Sequence, residues 1–490
     1  MYSVHENAPR LAALRTVQAA VSILLLAGVA ACGGGGSDVA STPISITPPP
    51  IDAGLPTNPA TPTAPASDPA STPTPTPVPT HTIVGNVIGL DAGNVLVLRQ
   101  NGGDDLSVKA NGAFSFAAPV ADGTTFSVTV KDQPLWQNCA ISNARGTATA
   151  VASNVTVMCV AAQAEVTTLA GSSAAGSANG NGSNATFKYP TGVAVDGGGN
   201  VYVSDTYNNL IRKISPLGDV TTLAGSGVGG SNNGNGGGAT FHYPYGVAVG
   251  SGGNLYVSDA FNNLIRKISP AGEVTTLAGS GADGAENGKA VNASFSTPKG
   301  IAVDRAGNVY VADSTGDVMR KITPGGEVST LAGSASFGFA NGNGLNASFS
   351  QPNGAAVDGD GNVYVADSNN GLIRKINGVG DVTTLAGSGA RASIDGSGAN
   401  ASFNGPIGVA VDSGGNVYVA DIHGNQIRRI SPTGDVRTLA GSGAQGAASA
   451  IGPAATFNRP FGIAVDRQGN VYVADSGNNL IRKISPVRTP

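Results

Sequence analysis

The chain has 490 residues, which exceeds the size of one ordinary core and predicts two or more structural units. Only 12% of the residues are charged, whereas 72 are glycine and 29 are proline, a composition that disfavours helical bundles and favours short strands joined by turns. The net charge of -4 offers no basic surface for neutralising phosphates, so nucleic acid is not an expected partner.

The first 32 residues are arranged like a secretory signal. Arg10 and Arg15 precede an apolar stretch that begins at Ala19 and is too short to cross a bilayer comfortably. The sequence VAAC at its end resembles a bacterial lipobox, which implies that Cys32 is acylated and becomes the mature N-terminus. The residue after this cysteine influences sorting, and Gly33, instead of Asp, resembles the residue at this position in lipoproteins of the outer membrane of Gram-negative bacteria. The alternative is an uncleaved anchor with an incidental cysteine.

Residues 33–81 and 82–160 differ sharply in composition. The first segment is rich in Pro, Thr and Gly and has almost no large apolar residue, so it predicts a disordered linker. The second alternates polar and apolar residues in runs such as TIVGNVIGL and FSVTVKD, which predicts a small Ig-like β-sandwich. The sequence NGGDDLSVKANGAFSF resembles a sandwich module of proteobacterial lipoproteins.

Two cysteines and two adjacent aspartates in this segment need separate explanations. Cys139 and Cys159 remain once Cys32 is assigned to lipidation, and the implied export favours a disulfide between them. A structural metal would need further Cys or His nearby. Asp104 and Asp105 could suggest a metal site, but adjacent side chains of a strand point to opposite faces, which favours a hairpin.

A repeat of 54 residues runs from about residue 165 to the C-terminus, without insertion or deletion between copies. Each copy contains four short β runs, such as TGVAVD, NVYVSD, LIRKIS and DVTTLAG, which is the content of one propeller blade. Six copies over residues 165–490 predict an all-β, six-bladed β-propeller. Their marker tyrosines are Tyr202, Tyr256, Tyr310, Tyr364, Tyr418 and Tyr472.

The ends of the repeat region predict how the ring closes. The chain ends at LIRKISPVRTP without a final VTTLAG, whereas an isolated copy of that strand, residues 166–171, precedes the first full repeat. We expect residues 166–171 to supply the missing strand of the last blade. This strand exchange would leave no exposed sheet edge at the seam.

The segment YPTGVAVDGGGNVYVSDTYNNLIRKI resembles the NHL repeat, and its six in-phase copies make the resemblance specific. The resemblance implies a six-bladed propeller that serves mostly as a binding platform. Some extracytoplasmic members of the family act as sensors, and a few relatives are lyases or lactonases. The long Gly- and Asn-rich linkers make these repeats longer than the family minimum.

Residues that recur in every repeat are expected to be structural. An Asp closes the second strand and an Arg follows seven residues later, so that the two can pair across a tight turn. A Phe three residues before a Pro is expected to be buried under the linker loop. A catalytic group needs one favoured geometry, whereas six copies satisfy six equivalent environments. The sets begin with Asp205, Arg212 and Phe187 and recur every 54 residues.

Function is expected where the repeats differ. The loop before the first strand and the turn between the second and third strands should open on the same face, and loops on a rigid scaffold commonly carry recognition. Aromatic side chains with polar neighbours suit sugar rings or peptides; the alternative is that the tyrosines only shield loop backbone. The candidate ligand-binding residues are Tyr189, Tyr207, His242, Tyr243, Tyr245, Phe261, His423, Arg459 and Phe461. Other variable positions on this face include Lys188, Lys299, Gln351, Asn353, Asn369 and Ile407.

The favoured function is non-catalytic binding of an envelope protein, peptide or glycan by a lipid-anchored monomer without a cofactor. The alternative is a gluconolactonase-like or lyase-type propeller enzyme with a metal at the channel mouth. Only His242 and His423 lie within the repeats, too few for a typical metal site, although repeats two and five are opposite each other in a ring of six. The Asp- and Asn-containing loops lack the acidic density of calcium sites, and Gly and Asn suit positive φ.

Overall fold

Strands make up nearly all of the regular structure. The computed structural model describes residues 76–151 and 153–488; Cys32, the signal segment and the linker up to residue 75 lie outside the described residues. Helical structure in the described part consists of ten 3-10 turns of three residues each. Within the same ranges, no helix combines the length and hydrophobicity of a bilayer-spanning segment. Residues 76–151 and 153–488 are therefore all-β, as predicted.

Ten strands build the N-terminal region as two four-stranded sheets and a short two-stranded one. One sheet has the order β5-β2-β10-β8, and the other has the order β4-β3-β7-β9. The strands are β1 Thr80–His81, β2 Val84–Ile88, β3 Leu96–Gln100, β4 Asp104–Val108, β5 Gly112–Ser115, β6 Val120–Ala121, β7 Thr125–Asp132, β8 Gln137–Ser142, β9 Arg145–Thr147 and β10 Val155–Ala161. Strand β1 lies just before the predicted boundary at residue 82, because His81 pairs with Val120 of β6.

One apolar core lies between the two four-stranded sheets and includes fully buried Leu96 and Val157. The disulfide joins Cys139 of β8 to Cys159 of the neighbouring strand β10. The pair of aspartates follows the tight β3–β4 connection, as the hairpin prediction requires. Asp105 accepts hydrogen bonds from Arg99 and Lys131, both at 2.6 Å, and these cations hold the pKa of its carboxyl well below the usual range.

The repeat region folds into six sheets of one pattern. Five of them contain four antiparallel strands and a short fifth edge strand, which forms where the returning linker pairs with the fourth strand. The sequence analysis predicted only four strands because the fifth is a two-residue pairing with no pattern of its own. The strands are β11 Ala164–Ala170, β12 Gly180–Asn181, β13 Gly192–Val195, β14 Val201–Asp205, β15 Leu210–Ile214, β16 Asp219–Ala224, β17 Gly234–Asn235, β18 Pro244–Val249, β19 Leu255–Asp259, β20 Leu264–Ile268, β21 Glu273–Ala278, β22 Gly288–Lys289, β23 Pro298–Val303, β24 Val309–Asp313, β25 Val318–Ile322, β26 Glu327–Ala332, β27 Gly342–Asn343, β28 Pro352–Val357, β29 Val363–Asp367, β30 Leu372–Ile376, β31 Asp381–Ala386, β32 Gly396–Ser397, β33 Pro406–Val411, β34 Val417–Asp421, β35 Gln426–Ile430, β36 Asp435–Ala440, β37 Pro460–Val465, β38 Val471–Asp475 and β39 Leu480–Pro486.

Short 3-10 turns join parts of these sheets. One set precedes the first strand of a repeat, and the other set joins the second and third strands. The turns are Gly182–Asn184, Thr206–Asn208, Gly236–Gly238, Ala260–Asn262, Ala290–Asn292, Gly344–Asn346, Ser368–Asn370, Gly398–Asn400, Gly452–Ala454 and Ser476–Asn478.

The first strands of the six sheets contact one another in cyclic order, from β13 through β18, β23, β28 and β33 to β37 and back to β13. A glycine in each first strand permits this approach. A Cβ on Gly192 would collide with the carbonyl oxygen of Tyr245 in the next sheet, and a Cβ on Gly462 would collide with that of Thr191. These glycines allow the backbones to meet around a narrow central channel.

Strand β11 completes the last sheet, whose order is β11-β39-β38-β37. It pairs antiparallel with β39 and places Val166 opposite Ile484. The sixth sheet thus combines one strand from before the first repeat with three from the C-terminus. Val166 is buried in the core between this sheet and its neighbour.

The recurring residues lie inside the sheets. All six Asp–Arg pairs are fully buried; in the first, Arg212 Nη1 lies 2.8 Å from Asp205 Oδ2 and the guanidinium lies 5.3 Å from the centroid of the Phe187 ring. Burial raises the pKa of Asp205 despite this partner. The Asp at the first turn, represented by Asp196, accepts the backbone N–H of Asn200. The contacts of Asp205, Arg212 and Phe187 confirm the structural roles predicted for the recurring residues.

The N-terminal sheets contact the repeat region through Trp136 and the C-terminal residues. Trp136 is 1% exposed and belongs to the same apolar cluster as Tyr418. Arg488 Nη1 donates to the carbonyl of Gln137 at 2.7 Å, and Asn138 Nδ2 donates to the carbonyl of Val487 at 2.9 Å. The repeat pattern did not predict this contact, because Trp136 lies outside the repeats and Arg488 has no counterpart in the other copies.

Candidate functional site

Each repeat places three variable residues on one face of the ring. The first precedes a recurring proline, the second follows that proline, and the third lies in the turn between the second and third strands. Stacking of Tyr189 on Tyr207, with centroids 5.0 Å apart, shows that the first loop and this turn open on the same face, as predicted. The first set is Tyr189, Tyr243, Thr297, Gln351, Gly405 and Arg459; the second is Thr191, Tyr245, Lys299, Asn353, Ile407 and Phe461; the third is Tyr207, Phe261, Thr315, Asn369, His423 and Gly477.

Residues of the first set are held in the left-handed backbone region by the preceding repeat. Tyr189 has φ 48° and donates its backbone N–H to Asn479 Oδ1 at 2.8 Å, and Tyr243 has φ 51° and donates to Asn209 Oδ1 at 2.9 Å. A non-glycine residue in this region costs about 1 kcal/mol or more, so the contact between sheets is what fixes the conformation. Each side chain is thereby presented in a defined direction.

Five of the predicted residues form one continuous aromatic stripe. Tyr207 contacts Tyr243 edge-on at 5.3 Å, and Tyr243 contacts Phe261 edge-on at 4.8 Å. His242 adjoins both Tyr243 and Phe261, at 5.2 and 5.5 Å. With Tyr189 stacked on Tyr207, these rings span the first two repeats. Tyr207 remains 48% exposed and Phe261 56% exposed, so the stripe faces solvent.

Tyr245 and Phe461, by contrast, lie at the central channel rather than in the aromatic stripe. Their rings meet edge-on at 5.4 Å, and Lys299 Nζ lies 5.7 Å from the centroid of Tyr245. Burial raises the pKa of Tyr245 to about 12 and lowers the pKa of Lys299. These residues, with Asn353 and Ile407, line a cavity of about 220 Å³ above a narrower one of about 60 Å³; we call the upper cavity the channel mouth.

The remaining predicted residues divide between these two places. Arg459 lines a shallow cavity of about 450 Å³ together with Tyr189 and Tyr207, at one end of the aromatic stripe. His423 lines the channel mouth. Although repeats two and five are opposite each other, His242 and His423 do not meet across the channel, because His242 packs within the aromatic stripe and lines neither channel cavity.

Arg391 also lines the channel mouth, and sequence reasoning did not find it. In the other five repeats a linker residue forms a parallel β-bridge with the buried Phe. In the fifth repeat Ile394 instead forms an antiparallel β-bridge with Ser402. This different course carries Arg391 to the channel. The signal was present in the linker ARASIDG, which departs from the Gly-, Asn- and Ala-rich linkers of the other repeats.

The residues at the channel do not match the ligand set of a bound metal. In the part of the chain that the structure describes, no group of three His, Cys, Asp or Glu side chains lies close enough to hold one ion. All residues lining the channel mouth and the narrower cavity are described, and none of them is acidic. The available chemistry is aromatic contact, amide hydrogen bonding and positive charge.

Comparison with known families agrees with the repeat pattern. Residues 187–214 and 457–484 match the NHL repeat. The chain contains NHL repeats. Residues 279–342 match the Teneurin NHL domain, and residues 341–450 match the SMP-30/Gluconolactonase/LRE-like region. The three family matches thus all lie within the repeat region.

Curated relatives share the NHL region over part of their length. The Arabidopsis thaliana protein SUPPRESSOR OF QUENCHING 1, chloroplastic is 30% identical over 61% of this chain and 30% of its own length. Human NHL repeat-containing protein 2 is 30% identical over 57% of this chain and 44% of its own length, and mouse Teneurin-3 is 26% identical over 63% and 13%. The chain thus spans less than half of each of these relatives.

Solved structures with the same fold come from Bacteroides thetaiotaomicron. A protein of unknown function has a TM-score of 0.53 at 20% identity and covers 85% of this chain and 100% of its own. An auxiliary nutrient binding protein has a TM-score of 0.51 at 15% identity and covers 82% of this chain and 97% of its own. At these identities the likeness shows a shared β-propeller-type fold.

Proposed function

We propose that the chain is a non-catalytic lipoprotein of the cell envelope whose propeller face binds a protein, peptide or glycan. Acylated Cys32 would hold it to the outer membrane of a Gram-negative bacterium, and the linker of residues 33–81 would give it reach. An Ig-like sandwich over residues 82–160 would precede a six-bladed NHL propeller over residues 165–490. The cyclic contacts of the first strands and the β11–β39 pairing support that ring. We expect a monomer that needs no cofactor.

The aromatic stripe is the observation that carries this proposal. Its five rings occupy variable positions of two adjacent repeats, and two of them are about half exposed. A soluble surface rarely leaves a contiguous aromatic patch uncovered unless it binds something. Flat rings bordered by Tyr hydroxyls, His242 and Arg459 suit a sugar or a peptide side chain, since aromatic contact area is gained at little cost in side-chain entropy. The shared fold of the auxiliary nutrient binding protein is in keeping with a binding role.

The test compares binding to envelope glycans and to a peptide library before and after removal of the stripe. Tyr207→Ala combined with Phe261→Ala should weaken binding by roughly 30-fold or more, because two aromatic contacts of about 1 kcal/mol or more each are lost. Phe337→Ala is the matched control, since Phe337 is 82% exposed but outside the stripe. Undiminished binding by the double variant, with normal thermal stability, would contradict the assignment. The glycan and peptide arms decide which class is bound.

An enzyme of the gluconolactonase type is the second candidate, favoured by the match of residues 341–450 to the SMP-30/Gluconolactonase/LRE-like region. The residues at the channel, all of which lie in the part of the chain that the structure describes, do not fit the metal that such chemistry would use. Lactone hydrolysis with added divalent metal distinguishes the two candidates. Turnover abolished by His423→Ala would favour the enzyme.

The anchor has its own test, independent of the ligand. Expression with a radiolabelled fatty acid should label the wild-type protein and not the Cys32→Ser variant. Fractionation should move that variant from membranes to the soluble fraction. Equal labelling of both proteins would refute lipidation at this cysteine.

A further inference from the structure

The channel mouth is chemically distinct from the aromatic stripe. The second set of variable residues, which follow the recurring prolines, lines the channel, and its six members are all different. The side chains of the channel therefore lack the sixfold symmetry of its backbone. The residues that line the mouth include Lys299, Arg391 and His423 and no acid. This is notable in a chain with a net charge of -4. A basic cavity without counter-charges favours an anion.

Lys299 is the central cation of this cavity. It is partly buried, it lies over the Tyr245 ring, and its Nζ forms no ion pair or hydrogen bond with any residue from 76–151 or 153–488. A partly desolvated ammonium without a protein acceptor is stabilised by a ligand that supplies a charged acceptor. The aromatic ring compensates for only part of this cost, because a cation–π contact does not replace a charged hydrogen bond.

Within the described part of the chain, Asn353 is a second residue of the cavity with a polar side-chain atom that lacks a hydrogen-bond partner. It is 8% exposed, and its Nδ2 donates to the Gln351 carbonyl at 3.0 Å, which identifies the other amide atom as the oxygen. This buried Oδ1 has no hydrogen-bond partner among the described residues. Asn353 lines both cavities next to Lys299 in the ring. An unpaired buried acceptor calls for a donor, N–H or O–H, on the molecule that fills the cavity.

The rest of the cavity limits the size and polarity of that molecule. Tyr245, Phe461 and Ile407 present apolar surface, and the cavity has a volume of about 220 Å³. A small organic acid fits such a space. Arg391 is exposed at the mouth, where its charge can attract the acid before Lys299 binds it.

We infer that the channel mouth binds a small organic anion that carries an acid group, an adjacent hydroxyl or amino donor, and a compact apolar part. Lys299 Nζ would donate to the acid group and Asn353 Oδ1 would accept from the adjacent donor. The apolar part would contact Tyr245 and Phe461. This site goes beyond the proposed function, since its residues are separate from the aromatic stripe and it can exist whether or not the stripe binds a partner.

Isothermal titration of the purified protein without its signal segment, residues 33–490, with three related compounds tests the inference. Mandelate has the acid, the donor and an apolar ring; phenylacetate lacks the donor; mandelamide lacks the charge. We expect mandelate to bind at least 10-fold more tightly than either analogue. Glycerol 2-phosphate forms a separate arm that distinguishes a phosphate from a carboxylate as the acid group.

Variants connect that binding to the named residues. Lys299→Met should weaken mandelate binding at least 10-fold, and Lys299→Arg should restore most of it. Lys375→Met is the matched control, because Lys375 lies over Tyr364 at 5.6 Å but does not line the channel. Asn353→Leu should bring mandelate down to the affinity of phenylacetate and leave phenylacetate unchanged.

Several outcomes would overturn the inference. The first is that neither mandelate nor glycerol 2-phosphate binds at concentrations up to about 10 mM. The second is that mandelamide binds as tightly as mandelate. The third is that Lys299→Met binds mandelate as tightly as the wild type does and has normal thermal stability. If Lys299→Met unfolds, the charge-preserving Lys299→Arg and the Asn353→Leu selectivity remain decisive. The double variant Tyr207→Ala, Phe261→Ala should keep mandelate binding, so that failure of the stripe proposal is separable from failure of this one.

Discussion

Gly316 marks the repeat in which a buried carboxylate lacks a hydrogen bond that its counterparts have. In four repeats an Asn three residues after the buried Asp donates to its Oδ2, at 2.8 to 2.9 Å. In the fifth repeat Ser393 Oγ donates to Asp421 Oδ2 at 2.6 Å instead. In the third repeat the Asn position is Gly316, and burial, with the nearby charge of Asp283, raises the pKa of Asp313 to about 7.

Gly316→Asn should restore the missing donor. A Cβ at this position would lie 3.4 Å from Asp313 Cγ, an ordinary contact, and Gly316 is not in the left-handed region. The new amide would donate to Asp313 as Asn208 does to Asp205 at 2.9 Å. A hydrogen bond to a charged group contributes about 1.5–3 kcal/mol, and ordering the side chain costs about 1 kcal/mol. We therefore expect a gain of about 1 kcal/mol in the free energy of unfolding, or roughly 2 °C in Tm.

The gain should depend on pH in a defined direction. Because the folded-state pKa of Asp313 is raised above its ordinary value of 3.8, its contribution to stability is greatest below about pH 4 and is lost as pH rises through about 7. A donor to the carboxylate lowers that pKa, so the benefit should be present at about pH 8 and nearly absent at about pH 5.

Scanning calorimetry of wild type and Gly316→Asn at those two pH values measures this difference. Gly424→Asn is the control, since a Cβ on Gly424 would collide with Ser393 Oγ, which already donates to Asp421. That variant should lower Tm at both pH values. A Tm change for Gly316→Asn that is equal at both pH values, or no gain at about pH 8, would refute the reasoning.

Three further predictions concern stability. Asp205→Ala should cost about 3–5 kcal/mol in denaturant unfolding because it leaves Arg212 buried without its partner, and adding Arg212→Met should recover part of that cost; equal loss in both variants would contradict the pairing argument. Trp136→Ala should cost about 3–5 kcal/mol and make the N-terminal sheets more sensitive to limited proteolysis, whereas unchanged cleavage would argue against the contact with the repeat region. Reducing the Cys139–Cys159 bond should cost about 2–4 kcal/mol, seen as a lower Tm with dithiothreitol, and a Cys139→Ala variant should show no such response.

The repeated residues were predictable because each copy has the same neighbours. The 54-residue interval identified the strands, and the Asp205–Arg212 pair and the buried Phe187 followed from their recurrence. The hairpin at Asp104 was predictable from alternation along one strand. In all these cases the interaction is local or repeats with the fold, so the spacing in the sequence determines the geometry.

Only the tertiary structure decided which variable residues meet. Tyr243 and Tyr245 are two residues apart, yet one belongs to the aromatic stripe and the other contacts Phe461 at the channel. Arg391 reaches the channel because its linker takes a different course from the others. These groupings depend on closure of the sheets into a ring and on the path of individual loops. The sequence by itself determined the regular scaffold and the positions that vary on it. Contacts between different repeats, which no local spacing encodes, determined the two candidate sites.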